Sequence, residues 1–148
     1  MLTKNKWAKL RLFLKAASWL TLMRIAISVA PFHRLRSFMG LTPGQDYSDP
    51  LQEKAESIGW AVRASARRLP WHSTCLCQAL AAAIMLRRMG IAGTLHLGVG
   101  RDMDGALTFH AWLRCNDLIV TGGEVRERYL SMSTFKTFPK EKSRLQLD

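Results

Sequence analysis

The sequence is short of acid, of cysteine and of any long uncharged apolar run, and each shortage closes off a class of protein. Eleven Asp and Glu stand against 22 Lys and Arg over 148 residues, a formal charge of +11. A balance this basic suits an anionic partner: nucleic acid, a membrane surface or an acidic peptide. The three cysteines are an odd number, with Cys75 and Cys77 only two positions apart. The even framework of a disulfide-stapled secreted domain is therefore missing, and a reducing cytoplasm is the expected location. Cys-x-Cys is also not the spacing of zinc or redox sites, and His33, His72, His96 and His110 lack ligand spacing, so no metal is expected. No repeat or low-complexity tract occurs. Basic residues are spread through the chain without a nucleic-acid motif, so nucleic acid is not an expected partner.

The apolar stretch from Lys4 to Ala30 begins with basic residues, yet Lys15 and Arg24 interrupt it. It lacks the twenty or so uncharged residues that spanning a bilayer requires, and it lacks a small-residue cleavage site. The apolar positions run almost all the way round, which predicts one or two helices that end before Pro31 and bury more than one face. Packing on the domain's own core is the plain reading; docking on a partner or contact with a membrane are the others.

At 148 residues one sizeable core is expected. The organisation predicted is an N-terminal helical segment over 1–40, a turn-rich linker over 41–50, a core over 51–130 and a loosely ordered, Lys- and Ser-rich tail over 131–148. After the linker, Ser48 or Asp49 caps a helix striped with Leu51, Ala55, Ile58, Val62 and Leu69, which Pro70 ends. Ser73 or Thr74 caps the next, CLCQALAAAIMLRRM, which stops at Gly90. The pattern then shifts to short runs, TLHLGVG, ALTFHAWLR and LIVTGG, separated by turn residues, which read as three strands in a meander. The fold class expected is α+β, with a cysteine-bearing helix packed on a small antiparallel sheet.

Cys75 opens its helix. A thiol is a nucleophile only as thiolate, and the unpaired N–H groups and dipole of a helix start favour negative charge. A base is still needed, and His110 lies on the middle strand, sharing a face with Thr108 and Trp112. Cys77 and Cys115 read as small buried hydrophobes, His96 as a structural histidine, and His33 and His72 as surface or capping groups.

The stretches PWHSTCLCQALAAAIMLRRMGIAGTLHLGVG and FHAWLRCNDLIVTGG resemble the transglutaminase-like leader peptidase of lasso-peptide biosynthesis, most strongly from Ile58 to Gly123, and the segment ending PFHRLR more weakly. The resemblance implies a papain-like Cys-His-Asp cysteine protease that removes the leader from a lasso precursor without a cofactor. It assigns Cys75 as nucleophile and His110 as base, with the Cys75 N–H in the oxyanion hole. It also implies three partners: the leader region of a lasso precursor peptide, a separate small winged-helix-like leader-recognition protein, and a macrolactam-forming cyclase. The third catalytic group departs from the family pattern. A two-residue turn at Asn116 and Asp117 sets position 123 opposite His110, and the stretch there reads TGGE, without aspartate. Glu124, Thr121, Asp117 through a different turn, and a main-chain carbonyl stay open; Asp117 is carried as the candidate acid. Two other activities compete: acyl transfer to an amine in place of water, and a non-enzymatic basic module for nucleic acid or anionic membrane.

Overall fold

The computed structural model describes residues 2–44, 52–123 and 126–137. Four helices, α1 (Leu2–Val29), α2 (Phe32–Met39), α3 (Gln52–Arg68) and α4 (Cys75–Arg88), accompany strands β1 (Leu41–Pro43), β2 (Gly93–Arg101), β3 (Leu107–Cys115), β4 (Leu118–Thr121) and β5 (Leu130–Thr137). The strands form one antiparallel sheet in the order β1-β5-β2-β3-β4. A single buried cluster joins all the layers: Leu20 and Met23 from α1, Ile58 and Val62 from α3, Leu80 and Leu86 from α4, and Leu95, Leu113, Val120 and Phe135 from the sheet. The fold class is the α+β arrangement expected, with the cysteine-bearing helix on the sheet.

Composition explains how α4 sits so centrally. Ala79, Ala81, Ala82 and Ala83 are buried with almost no exposed surface, and alanine combines the best helix propensity with a side chain small enough to let neighbours approach on every side. At its far end Arg87 donates to the Met39 carbonyl, tying α4 to the end of α2, where Gly40 adopts the left-handed conformation at φ 67°. Between α1 and α3, the buried Ser65 hydroxyl donates to the Phe13 carbonyl at 3.0 Å.

Two expectations require correction. The meander β2-β3-β4 is present, but the sheet has two further strands among the described residues. Residues 130–137, expected as the start of a loose tail, form β5 and pair with both β1 and β2. The sequence hides this strand because a bulge at Met132 shifts its pairing between Leu97 and Gly98, and Leu130 and Met132 face solvent, so no clean alternation survives. Second, the presumed linker supplies β1; residues 45–51, with the predicted caps Ser48 and Asp49, lie outside the described residues, as do 138–148. The N-terminal segment packs on the domain's own core, the plain reading of its sequence. One helix of 28 residues, α1, places Ala16, Leu20 and Met23 in the common core. It is long and apolar enough, by length and composition, to cross a membrane, but crossing would strip those residues from the core they help fill.

Two leucines on α1 separate these roles. Leu20→Ala is expected to cost about 2–5 kcal/mol in urea unfolding, because it opens a cavity between α1, α3 and α4. Leu22→Ala, at a half-exposed position two residues on, should change stability by less than about 0.5 kcal/mol.

Candidate functional site

Thr74 is the N-cap of α4: its φ and ψ are −73° and 162°, and its hydroxyl accepts from the Cys77 N–H at 3.2 Å. The Thr74 carbonyl accepts from the Gln78 N–H at 3.0 Å. Cys75 is therefore the first residue of the helix. Its own N–H and that of Leu76 have no acceptor among the described residues, leaving two donors at the positive end of the helix dipole. The Gln78 amide folds back to Ser73, donating to its carbonyl and hydroxyl, which braces the segment leading into Cys75.

The three thiols differ in surroundings. Cys75 is half-buried, whereas Cys77 and Cys115 are buried. Cys77 donates to the Leu20 carbonyl at 3.3 Å, and burial pushes its thiol up from 9.0 to about 11, partly offset by the charge of Arg24. Cys77 is thus a core residue tying α4 to α1.

His110 lies on β3, opposite Gly98 of β2. Its Nε2 donates to the Gly122 carbonyl at 2.6 Å. A carbonyl oxygen only accepts, so this bond fixes the neutral ring as the Nε2–H tautomer and leaves Nδ1 as a lone-pair acceptor. No hydrogen bond engages Nδ1 among the described residues, and none joins His110 to Cys75. The ring stacks with Tyr129 and with Trp112, at centroid separations of 4.9 and 6.0 Å, so its plane is fixed as well as its tautomer. Gly98 makes room for this layer: a Cβ there would stand 2.7 Å from the Trp112 ring. His96, expected to be structural, is buried, stacks on Trp112 at 5.2 Å and lies 3.4 Å from the Ser131 hydroxyl.

Of the groups open for orienting His110, the main-chain carbonyl holds that place. Asp117 sits fully exposed in the β3–β4 turn, 3.9 Å from Arg114, and does not reach the ring. Thr121 is buried, with a hydroxyl that has no hydrogen-bond partner among the described residues. Glu124 lies outside the described residues. The register argument that pointed to position 123 missed a bulge: Cys115 pairs with Leu118 and Arg114 with Ile119, but Leu113 pairs with Thr121, a shift of one residue at Val120. Gly122 then turns at φ 76°, and a Cβ on it would meet the Ala111 carbonyl oxygen at 2.5 Å. No side chain, and so no carboxylate, fits at that position. The main-chain carbonyl was one of the alternatives left open, within the TGGE stretch that contains Gly122; Tyr129, which lies in a bend before β5 and carries no signal, escaped the sequence reading altogether.

Beside the start of α4 is a cleft of about 630 Å³, lined by Arg63, Arg67, Pro70, Trp71, His72 and Gln78 among others. Its charged residues are all basic. Among the described residues no cluster of His, Cys, Asp and Glu could hold a metal ion.

A family model described as the transglutaminase-like superfamily matches residues 17–134. The chain belongs to the transglutaminase-like superfamily. No significant match is found among curated proteins or among solved structures. The superfamily includes cysteine proteases and acyl transferases and is typically enzymatic. Its match begins within α1 and ends within β5, so the superfamily domain reaches into both the N-terminal segment and the expected tail.

Iodoacetamide should label Cys75 first in the folded protein, with Cys77 and Cys115 reacting only on unfolding; peptide mapping reads the order. Because the raised Cys77 thiol favours the protonated folded state, its contribution to stability should be complete below about pH 9 and lost as pH rises through about 11. Denaturant melts of Cys77→Ala against the parent should show that difference disappearing over the same window.

Proposed function

We propose that this protein is a cysteine peptidase that removes the leader from a lasso-peptide precursor, with Cys75 as nucleophile and His110 as base. The observation that carries the reading is a division of labour at His110: Nε2–H is held by the Gly122 carbonyl, and Nδ1 is left open to take a thiol proton. The one partly exposed cysteine meanwhile opens a capped helix. Lasso specificity rests on the resemblance of the Cys75 and His110 segments to that family. The basic cleft beside Cys75 supports a peptide substrate carrying acidic residues.

In this mechanism Nδ1 takes the Cys75 proton as Sγ attacks the scissile carbonyl, and the oxyanion is held by the Cys75 and Leu76 N–H groups. Collapse breaks the C–N bond, the imidazolium gives its proton to the leaving amine, and water then hydrolyses the thioester. The His110 ring becomes positively charged during these steps, and among the described residues the group behind it is the Gly122 carbonyl and not a carboxylate. The Gly122 carbonyl dipole and the faces of Tyr129 and Trp112 stabilise that charge instead; cation–π contacts contribute about 0.5–2 kcal/mol each. The partners proposed are the precursor's leader region, a separate leader-recognition protein that presents it, and the cyclase that closes the released core, all in the cytoplasm.

The test is cleavage of a lasso precursor in the presence of its leader-recognition protein. Cys75→Ala and His110→Ala should each lower the rate by orders of magnitude, while Cys77→Ala, Cys115→Ala and Asp117→Ala keep most of it. Tyr129→Ala should lower kcat by roughly tenfold, the loss of one cation–π contact, with Tyr129→Phe nearly intact. Equal losses in all three cysteine variants would sink the assignment of Cys75. A product in which an added amine, and not water, ends the acyl group would instead establish acyl transfer.

A further inference from the structure

The outward face of α1 has no role in the catalytic reading. Trp7, Leu10, Leu14, Leu22, Ile25 and Val29 are all exposed, and at 100° per residue they fall within an arc of about 120°. Ala16, Leu20 and Met23, which enter the core, lie on the opposite side. The uncharged polar residues within the exposed arc do not break it. Ser18, Thr21 and Ser28 each turn the hydroxyl back to the carbonyl four residues earlier, at 2.9 Å, so their donors are satisfied within the helix and no partner is needed. Arg24, which in the sequence interrupts the apolar run, is turned away: its guanidinium donates to the His72 carbonyl at 3.0 Å and stacks on Trp71 at 4.9 Å. The outward face from Leu22 to Val29 is therefore uncharged, and the positive charge collects at the other end, on Lys4, Arg11 and Lys15.

The sign of that charge identifies what covers the face. No Asp or Glu occurs before Asp46, while Lys4, Lys6, Lys9, Arg11, Lys15, Arg24, Arg34 and Arg36 all precede it. A second copy laid on this face would bring the like charges of two α1 helices together with no acid on either helix to relieve them. An anionic bilayer supplies the missing sign and takes up the apolar arc, at the depth reached by helices lying in the interface plane. Because the opposite side of α1 is anchored in the core, the helix lies on the membrane and does not cross it.

We propose that the exposed face of α1 docks this protein on the surface of an anionic membrane, with Leu22, Ile25 and Val29 inserted at the acyl boundary and Lys4, Arg11 and Lys15 among the headgroups. This goes beyond the peptidase reading and does not depend on it.

The test is flotation of the full chain with vesicles of phosphatidylcholine alone and with phosphatidylglycerol added. Binding should require the anionic lipid, weaken in high salt and be reversed by alkaline carbonate. Replacing Lys4, Arg11 and Lys15 with glutamine should weaken it on the order of a hundredfold, roughly fivefold per charge. The double variant Leu22→Glu with Ile25→Glu should abolish it while the circular dichroism spectrum and melting temperature stay those of the parent, since both positions are exposed. Equal affinity for neutral and anionic vesicles, unchanged binding by either variant, or resistance to carbonate would overturn the proposal. So would a dimer that forms in place of vesicle binding and is lost in the double variant, or capture of this face by the leader-recognition protein with no affinity for lipid.

Discussion

The hydrogen bond from His110 Nε2 to the Gly122 carbonyl is the constraint on which the candidate site turns. It commits one ring nitrogen as donor and so defines the other as acceptor. To make it, the chain leaves β4 immediately after Thr121, which the bulge at Val120 and the positive φ of Gly122 permit. The same geometry excludes a carboxylate at position 122 itself, because a side chain there would run into the Ala111 carbonyl. A carbonyl dipole orients the ring as well as an aspartate does but stabilises the imidazolium less. The stacking of Tyr129 and Trp112 on His110 answers that deficit in the proposed mechanism.

Positioning of Cys75 depends on a second set of contacts, spread over the whole domain. The alanine-rich body of α4 is enclosed by α1, α3 and the sheet, Thr74 caps its start, and Arg87 ties its end to Met39. Cys77, two residues from Cys75, anchors the first turn to α1 through Leu20. The long N-terminal helix is thus part of what holds the helix start in place, and its inner and outer faces carry separate tasks: core packing on one, the proposed membrane contact on the other.

Much of this was legible in the residues, for physical reasons that differ by element. Helix α4 announced itself through its Thr74 cap, α3 and α4 through apolar positions and a proline or glycine stop, and β2 to β4 through short apolar runs separated by turns. Cys75 and His110 stood out because a helix start and a strand with one polar face are local patterns. What failed was nonlocal. Strand β5 depends on partners 31 to 44 residues away on β2 and 92 to 96 residues away on β1 and is disguised by its bulge, β1 is three residues that gain meaning only beside β5, and the carbonyl that orients His110 stayed one alternative among several because it carries no side chain to read. Arg24, which in the sequence looked like an obstacle to an apolar face, is drawn aside by a backbone carbonyl 48 residues away.

The claim with most resting on it is that Cys75 and His110 act together, as nucleophile and base. The measurement closest to it needs no substrate: the second-order rate of Cys75 alkylation at neutral pH, compared between the parent protein and His110→Ala, with Asp117→Ala as control. If the imidazole takes the thiol proton, removing it should slow alkylation at least tenfold, while Asp117→Ala labels at the parent rate. Indistinguishable rates in the parent and His110→Ala, with both proteins folded, would contradict the account.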